Sequence, residues 1–496
     1  MQTFDQPFLK IIIPAATGVV AARVLDVPVA AAIVCFAVLF VFTVALRKRP
    51  VGQIYLWFTI LTFFLCTATV SRSESAIPQG VRIEAVAQIA ENPYEQGRRR
   101  RTTAHVGYYR TEGDTAGWTR ADERIQLYID TCYRLRAGQQ IAMRGWLNPV
   151  DTTGSSYGNL MRLRGHHGRM YLTPGNLVRK APHVSRTPVY YASKLQDGAV
   201  ALLSRLHLVP DELGVVTAMT AGDKRGIGRS LRGSYSDTGA AHLLAVSGLH
   251  VGIVFMLINL LLYFLPAMRR GHIYKNAAAV AAIWLYAVMA GLSPSVVRAA
   301  LMFSFAQAAL ASGSSRNGLN IMLGSAAVML AINPNYWGDP SFMLSYAAVL
   351  SITAFFGPLF RLVRSRRKIV NALSSIMVVG LTASLGTAPL VAYWFGNFPV
   401  AGMLINPVVI LTAHVIVMFG VLWVIMPIGF LNPVFSWVLG LAAGVQNSVV
   451  EWSASLSWAS VPVNLPLWVV VIIYAAYIAL AVWVNRPRKR EQPAFG

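Results

Sequence analysis

Charge is scarce in this 496-residue chain: Asp, Glu, Lys and Arg together make up 13%, against roughly 25% in an ordinary soluble domain. Acidic residues are scarcer still, 20 against 43 Lys+Arg, which leaves a formal charge of +23. Cysteine occurs three times, at Cys35, Cys66 and Cys132, with no CxxC or metal-ligand spacing. That excludes a disulfide scaffold and a structural zinc site. What the chain has in abundance is apolar surface: 55% hydrophobic residues and a mean hydropathy of +0.52. These proportions exclude a soluble cytosolic enzyme, a disordered chain and a fibrous repeat. They fit a polytopic α-helical membrane protein, in which some cytoplasmic Lys/Arg is expected. An excess this large also asks for an anionic partner: lipid, nucleotide or nucleic acid.

The apolar residues are unevenly spread. A spanning helix needs about 20 of them in a row. Runs from Phe8 to Leu25, Val27 to Leu46 and Ile54 to Val70 predict three helices in a segment 1–70, the first weakened by Pro14 and Arg23. No small-residue cleavage site follows the first run, so it is not a signal peptide. Residues 71–190 are polar, with 18 Lys+Arg against 10 Asp+Glu. Alternating runs at Val81–Ala90, Thr102–Tyr109, Arg124–Asp130, Gln140–Leu147 and Arg169–Leu172 predict five short strands in a small extracytoplasmic β-barrel. Residues 191–241 read as an amphipathic connector, with a helix over Tyr191 to Leu208. Residues 242–485 hold nine more apolar spans, near 242–265, 277–291, 295–312, 319–332, 341–360, 370–395, 402–427, 433–450 and 466–484, giving about 12 helices, some broken. Basic clusters at Arg47-Lys48-Arg49, Arg269-Arg270, Arg361 to Lys368 and Arg486 to Arg490 all face the cytoplasm if the N-terminus does. The 71–241 region then lies outside, and a basic tail, 486–496, lies inside.

Four motifs interrupt the apolar pattern. His242-Leu-Leu-Ala-Val-Ser247-Gly248-Leu-His250-Val-Gly252 puts Ser247 and His250 on one helix face. Gly248 and Gly252 form a small-xxx-small surface for a close helix neighbour. Two histidines and a serine in an apolar helix need partners; they serve either interhelical packing or function. Ser293-Pro294-Ser295-Val-Val-Arg298 begins a helix with Ser as cap and Pro at its first position. Arg298, one turn in, must pair, snorkel or line a wet cavity. Asp339-Pro340 predicts a helix cap, with an ion pair to Arg298 as the sharper alternative. The stretch Thr382 to Phe398, with Thr387, Pro389 and an aromatic cluster, and then Asn406-Pro407, predicts broken helices of the kind that line cavities. In the polar region the run Arg98, Arg99, Arg100, Arg101 is expected on a loop, with Tyr109 and Trp118 nearby. Arginine interleaved with aromatics suits base stacking and phosphate contact, though a solvated basic loop explains the run as well. His166-His167 reads as a solvated pair.

These motifs resemble the ComEC/Rec2 family of competence DNA-uptake channels. The resemblance rests on HLLAVSGLHVG (242–252), SPSVVRAALM (293–302), NPNYWGDPSFMLSYAAVL (333–350) and TASLGTAPLVAYWFGNFPVAGMLINP (382–407), in the family's order, preceded by AGDKRG (221–226). It covers roughly 210–430 strongly and 71–190 more weakly, where the family has an OB-like domain. It implies an inner-membrane, multi-pass channel for single-stranded DNA in natural transformation, with both termini cytoplasmic. The implied path residues are His242, Ser247, Gly248, His250, Arg298, Asp339, Thr387, Pro389 and Asn406. Besides single-stranded DNA and the bilayer, the implied partners are a periplasmic DNA receptor, a cytoplasmic helicase and a separate nuclease. Many members carry a metallo-β-lactamase-like domain, but no HxHxDH-type cluster occurs here. The chain is therefore expected to be a variant without that domain, with no cofactor, no metal and no enzymatic role. A transporter of a smaller anion and a membrane hydrolase built on Ser247 with His250 or His242 are the competing readings.

Overall fold

The computed structural model describes residues 9–25, 28–46, 52–70, 77–96, 99–113, 117–133, 135–150, 156–184, 187–264, 271–311 and 318–485. Three apolar helices lead: α1 (Leu9–Val24), α2 (Val29–Ala45) and α3 (Gly52–Val70). A sheet domain follows, with β1 (Val81–Ile89), β2 (Tyr94–Gln96), β3 (Arg99–Thr111), β4 (Thr119–Ile129), β5 (Gln139–Pro149), a short helix α4 (Ser156–Leu163), β6 (His166–Leu172) and β7 (Leu177–Val184). Its strands obey the two-residue period of a half-buried sheet. Ile83, Ala85, Ala87 and Ile89 of β1 face Ile125, Leu127 and Ile129 of β4 and Ile141, Met143 and Leu147 of β5 in one core.

The strand order is β1-β3-β4-β6-β5-β7, with β2 beside β3 and a further β1–β5 pairing. The pairings run in a circuit, yet the β5–β6 seam consists of three residue pairs, Leu147–Met170 to Pro149–Gly168. The domain is therefore a curled seven-stranded sheet and not a closed barrel. The two extra strands, β2 and β7, sit at its margins; β2 is three residues long, and β7, LVRKAPHV, does not alternate apolar with polar. The arginine run also differs from expectation. Arg99, Arg100 and Arg101 open β3 and pair with β2 and β4, so they lie on a strand rather than a loop. Arg98 falls outside the described residues, as do three of the four basic clusters that set the expected orientation.

Beyond the sheet come α5 (Pro188–Leu203), α6 (Pro210–Ala221), α7 (Arg229–Asp237) and a 3-10 turn at Ala240–His242. Thr187 caps α5, with Pro188 at its first position. Every residue of α6 from Gly214 to Ala221 is buried, so this part of the connector is a core element instead of a surface one. The helical block continues with α8 (Gly248–Leu261), α9 (Gly271–Met289), α10 (Pro294–Ala311), α11 (Gly318–Ile332), a 3-10 turn at Pro334–Gly338, α12 (Pro340–Val363) and α13 (Lys368–Phe395). Strand β8 (Asn397–Phe398), α14 (Val400–Ile425), α15 (Asn432–Ala454), β9 (Val461–Pro462) and α16 (Leu467–Val484) complete it. A helix stands at each of the expected span positions. Six of them, α10, α12, α13, α14, α15 and α16, are long and apolar enough to cross a membrane, and α1, α2, α3, α8 and α11 are apolar but shorter.

Two helical cores form. One joins α5, α6, α8, α9, α10, α14 and α15; the other joins α1, α3, α11 and α12. The expected breaks at Pro389 and Asn406-Pro407 are absent. Both α13 and α14 run through their prolines. In the turn before Pro389, Tyr474 Oη of α16 donates to the Gly386 carbonyl at 2.7 Å, which ties this part of α13 to its neighbour.

Candidate functional site

The first turn of α10 carries the most unusual side chain in the helical block. Gly291 and Leu292 both adopt positive φ, 86° and 50°, and this tight reversal lets α10 start at Pro294 directly after α9. One turn on, Arg298 is 2% exposed. Its Nη2 donates to Ser295 Oγ at 3.1 Å and its Nη1 to the Ser341 carbonyl at 3.2 Å. Its guanidinium lies 5.4 Å from the Tyr346 ring centroid. Arg298 makes no salt bridge among the described residues: the alternative reading of Asp339, as its ion-pair partner, is not what forms.

Asp339 is taken by a residue from the other domain. Arg164, in the turn between α4 and β6, donates from Nε to Asp339 Oδ2 at 2.8 Å and from Nη2 to Oδ1 at 3.3 Å. The same Nη2 reaches Ser341 Oγ at 3.2 Å. Asp339 Oδ1 also accepts from the Ser341 backbone N–H at 2.8 Å, so the carboxylate caps α12 as its sequence context predicts. Ser341 thus meets Arg298 through its carbonyl and Arg164 through its hydroxyl. Nothing in the sequence marks Arg164 as the partner, because 175 residues and a domain boundary separate the two.

The 242–252 motif is divided by its geometry. Ser247 begins α8, and its backbone N–H donates to His250 Nδ1 at 3.4 Å. With Nδ1 accepting, the ring proton of neutral His250 sits on Nε2, which is buried and has no hydrogen-bond partner. The imidazole is engaged with backbone and not with the Ser247 hydroxyl. His242 is exposed and donates from Nδ1 to the Gly239 carbonyl at 2.8 Å. His414 of α14, which the motif search missed, donates to the Ile410 carbonyl at 2.7 Å. Both lie close enough to His250 to interact with it electrostatically. Gly248 and Gly252 face α10: a Cβ would sit 3.8 Å from Ala299 Cβ and 3.3 Å from Phe303 Cζ respectively. Their role is close helix packing.

The remaining expected path residues are tied to structure. Thr387 Oγ1 bonds back to the carbonyls of Ala383 and Ser384 within α13. Pro389 is buried. Asn406 Nδ2 donates to Ser384 Oγ at 3.3 Å, joining α14 to α13.

On the sheet domain, Arg99 lies 4.9 Å from the Tyr171 ring, which stacks on Tyr128 at 5.1 Å. Arg101 reaches Met161 of α4, and Tyr109 packs against the domain core. Arg100 pairs with Glu95 in the β2–β3 ladder. Arg99 and Tyr109 therefore do not form one patch. His166 opens β6, is 9% exposed and bonds Thr103 Oγ1 at 3.2 Å, so it is not the solvated residue expected. Burial, with Arg101, Arg124 and Arg164 nearby, holds its pKa down at about 4.

A profile of the Competence protein family matches residues 219–487, more than half of the chain. The match begins in α6 and takes in Arg298, Asp339 and the whole 242–252 motif. The chain belongs to the ComEC/Rec2 family of competence proteins. It is similar to ComE operon protein 3 of Bacillus subtilis (strain 168), 32% identical over 202 residues, which are 40% of this chain and 24% of that protein. It is also similar to an uncharacterized protein of Aquifex aeolicus (strain VF5), 30% identical over 200 residues, 40% of this chain and 44% of that one. The chain thus aligns with less than half the length of either relative. No solved structure matches. As a ComEC/Rec2-type protein it brings its buried arginine and its interdomain ion pair together at one helix start, where both arginines meet Ser341.

Proposed function

We propose that this competence protein is an inner-membrane channel that passes single-stranded DNA during natural transformation. The observation that carries this reading is Arg298: a guanidinium buried in an apolar helical block, hydrogen-bonded to a serine hydroxyl and a carbonyl, and in no salt bridge among the described residues. A buried charge whose nearest carboxylate, Asp339, is bonded to another arginine is costly, and a passing phosphodiester supplies a direct anionic partner. The unpartnered Nε2 of His250 offers a donor in the same block. Sparse donors fit conduction, because a path that holds its ion too tightly does not release it.

In this reading the sheet domain is an OB-like extracytoplasmic module and both termini are cytoplasmic. The Arg99–Tyr171–Tyr128 stack is suited to bases and phosphates. The chain acts in transport rather than catalysis. A periplasmic receptor delivers DNA, a cytoplasmic helicase draws it in, and a separate nuclease removes the other strand. The test is a deletion strain assayed for labelled DNA reaching the cytoplasm. Undiminished import in that strain would sink the assignment. For the smaller-anion alternative, the discriminating result is loss of nucleotide uptake with DNA import intact.

A further inference from the structure

The seam between the sheet domain and the helical block is crowded with cations. The electrostatic neighbours of His166 are Arg101, Arg124 and Arg164. Those of Tyr336 are Asp339, Arg124 and Arg164, and those of Lys224 are Arg232, Glu91 and Arg164. Arg164 belongs to all three sets. It is 35% exposed at its side chain, whereas the Asp339 that it binds is 2% exposed. The guanidinium can therefore be approached from solvent and the carboxylate cannot.

Asp339 has a second cation within electrostatic range, Arg298, and both arginines touch Ser341. Arg164 of the sheet domain holds the carboxylate, while Arg298 of α10 lies within its electrostatic range and makes no salt bridge among the described residues. One carboxylate between two arginines, one reachable and one buried, is the arrangement of an exchangeable contact. An anion arriving at Arg164 competes with Asp339 for the same planar fork of donors. The released carboxylate then has Arg298 to turn to, so it is not left buried and unpaired.

We propose that Arg164 is a phosphodiester-binding residue at the domain seam, held in reserve by Asp339, so that a nucleic-acid strand reaching the seam opens the Arg164–Asp339 contact. Guanidinium binds phosphate and carboxylate with the same bidentate geometry, so the exchange needs no new donor. The proposal rests on the DNA-channel reading and adds to it the site where the sheet domain hands the strand to the helical block. Until the strand arrives, the ion pair keeps the two domains docked. Asn92 Nδ2 to Ser193 Oγ at 2.7 Å and Arg232 Nη1 to the Glu95 carbonyl at 2.6 Å dock them at a second place.

The test uses the full chain in nanodiscs of neutral lipid, a fluorescein-labelled oligothymidylate as probe, and anisotropy over a salt series. Asp339→Asn keeps an equally good helix cap and removes the charge that holds Arg164. It should bind the oligonucleotide roughly tenfold tighter than the parent, the effect of releasing one charge-assisted pair. Arg164→Gln should bind more weakly, with the slope of log K against log salt shallower by about 0.7, one phosphate contact fewer. The double variant should match Arg164→Gln, since the charge at 339 acts through Arg164. If Arg164→Gln fails to fold, Arg164→Lys replaces it: it keeps the charge for Asp339 and loses the planar fork, so its binding should also fall.

Equal or weaker binding by Asp339→Asn overturns the proposal, and so does a gain that survives in the double variant. A gain seen with anionic-lipid vesicles but not with the oligonucleotide overturns it too, by assigning Arg164 to lipid phosphate. The channel reading stands or falls separately. If deletion of the protein abolishes DNA import while Asp339→Asn binds no tighter, the seam site is wrong and the channel is right. If deletion leaves import intact, the channel reading fails.

Discussion

The sheet domain and the helical block treat arginine in opposite ways. On the sheet, Arg110 donates to Glu84 at 2.6 and 2.9 Å, Arg144 approaches the same carboxylate at 3.8 Å, and Arg82 meets Glu112 at 3.1 Å. Those arginines are 41–46% exposed at their side chains, and water shares the work of solvating them. In the helical block Arg298 has neither water-facing surface nor a salt bridge. A pair exposed on both sides, such as Arg82–Glu112, contributes little, on the order of 0–1 kcal/mol, whereas Glu84 is itself buried and is held by water-facing arginines. A charge such as that of Arg298 is kept only against a substantial desolvation cost. The difference teaches that the two regions hold arginine at different cost: on the sheet water carries part of it, and in the apolar block the fold carries nearly all of it.

Four changes sharpen or break that contrast, and the largest effect belongs to Arg298. Arg298→Ala should abolish import of labelled DNA while leaving protein level and membrane insertion near those of the parent. Arg298→Lys should keep part of the activity if charge alone matters, and little if the planar fork does. Recovery of both protein level and import in the double change Arg298→Ala with Asp339→Asn would make Arg298 a structural residue and erase the contrast.

His166 comes next. Its pKa of about 4 lies below the ordinary 6.5 because the ring is buried among cations. Between those values the unfolded chain binds the proton and the folded chain does not. Its contribution is therefore complete above pH 6.5 and is lost as pH falls toward 4, reaching roughly 3 kcal/mol at most. The β6 amides should lose protection from hydrogen exchange, taken relative to the intrinsic rate at each pH, across that window. In His166→Gln this part of the pH dependence should disappear, and an unchanged profile would refute the assignment.

A smaller effect is expected at Gly252. A valine there meets the Phe303 ring, already 3.3 Å from the position of Cβ, and overpacking of this size costs about 1–3 kcal/mol. Thermal unfolding in detergent measures it; an unshifted midpoint would mean that α8 and α10 yield to each other. The smallest effect is at Glu112. Glu112→Gln leaves Arg82 and Arg144 to solvent and should cost about 1 kcal/mol or less. A loss as large as that at a buried pair would mean that the sheet arginines are not solvated as described.

Much of the architecture was legible because hydrophobic period reports which faces are buried. The alternation in Val81–Ala90 and Gln140–Leu147 became β1 and β5, and the apolar runs became helices within a few residues of their expected ends. The ends of Arg-rich segments were not legible. Arg99 to Arg101 alternate in direction on β3 without alternating in polarity, so the strand start is hidden. Prolines at 389 and 407 read as breaks because a span's response to proline depends on the helices packed around it. For the site, Arg298 and Asp339 stood out as charges in apolar surroundings, and Asp339 was read correctly as a cap. Their partnership was not readable. Sequence proximity favoured Arg298, and the partner actually bonded, Arg164, lies in a turn of another domain. His166 was misjudged for a related reason: a Gly/Arg-rich flank suggests solvent, but the strand pairing of β6 with β4 carries the ring under its neighbours.

The turn between β4 and β5 carries the sheet domain's cysteine, and that gives the molecule a built-in reporter. Cys132 is exposed and unpaired, while Cys35 and Cys66 lie within the apolar helices α2 and α3. A maleimide that cannot cross lipid should therefore find one accessible thiol on the polar domain and label it only from the side of the membrane that domain occupies. Slight desolvation and the carboxylate of Asp130 raise the thiol's pKa, so the reagent works best in mildly alkaline buffer, where the thiolate that attacks it is more abundant. Whole cells and inverted vesicles, treated side by side, turn one native side chain into a direct readout of sidedness, with no fusion and no engineered residue.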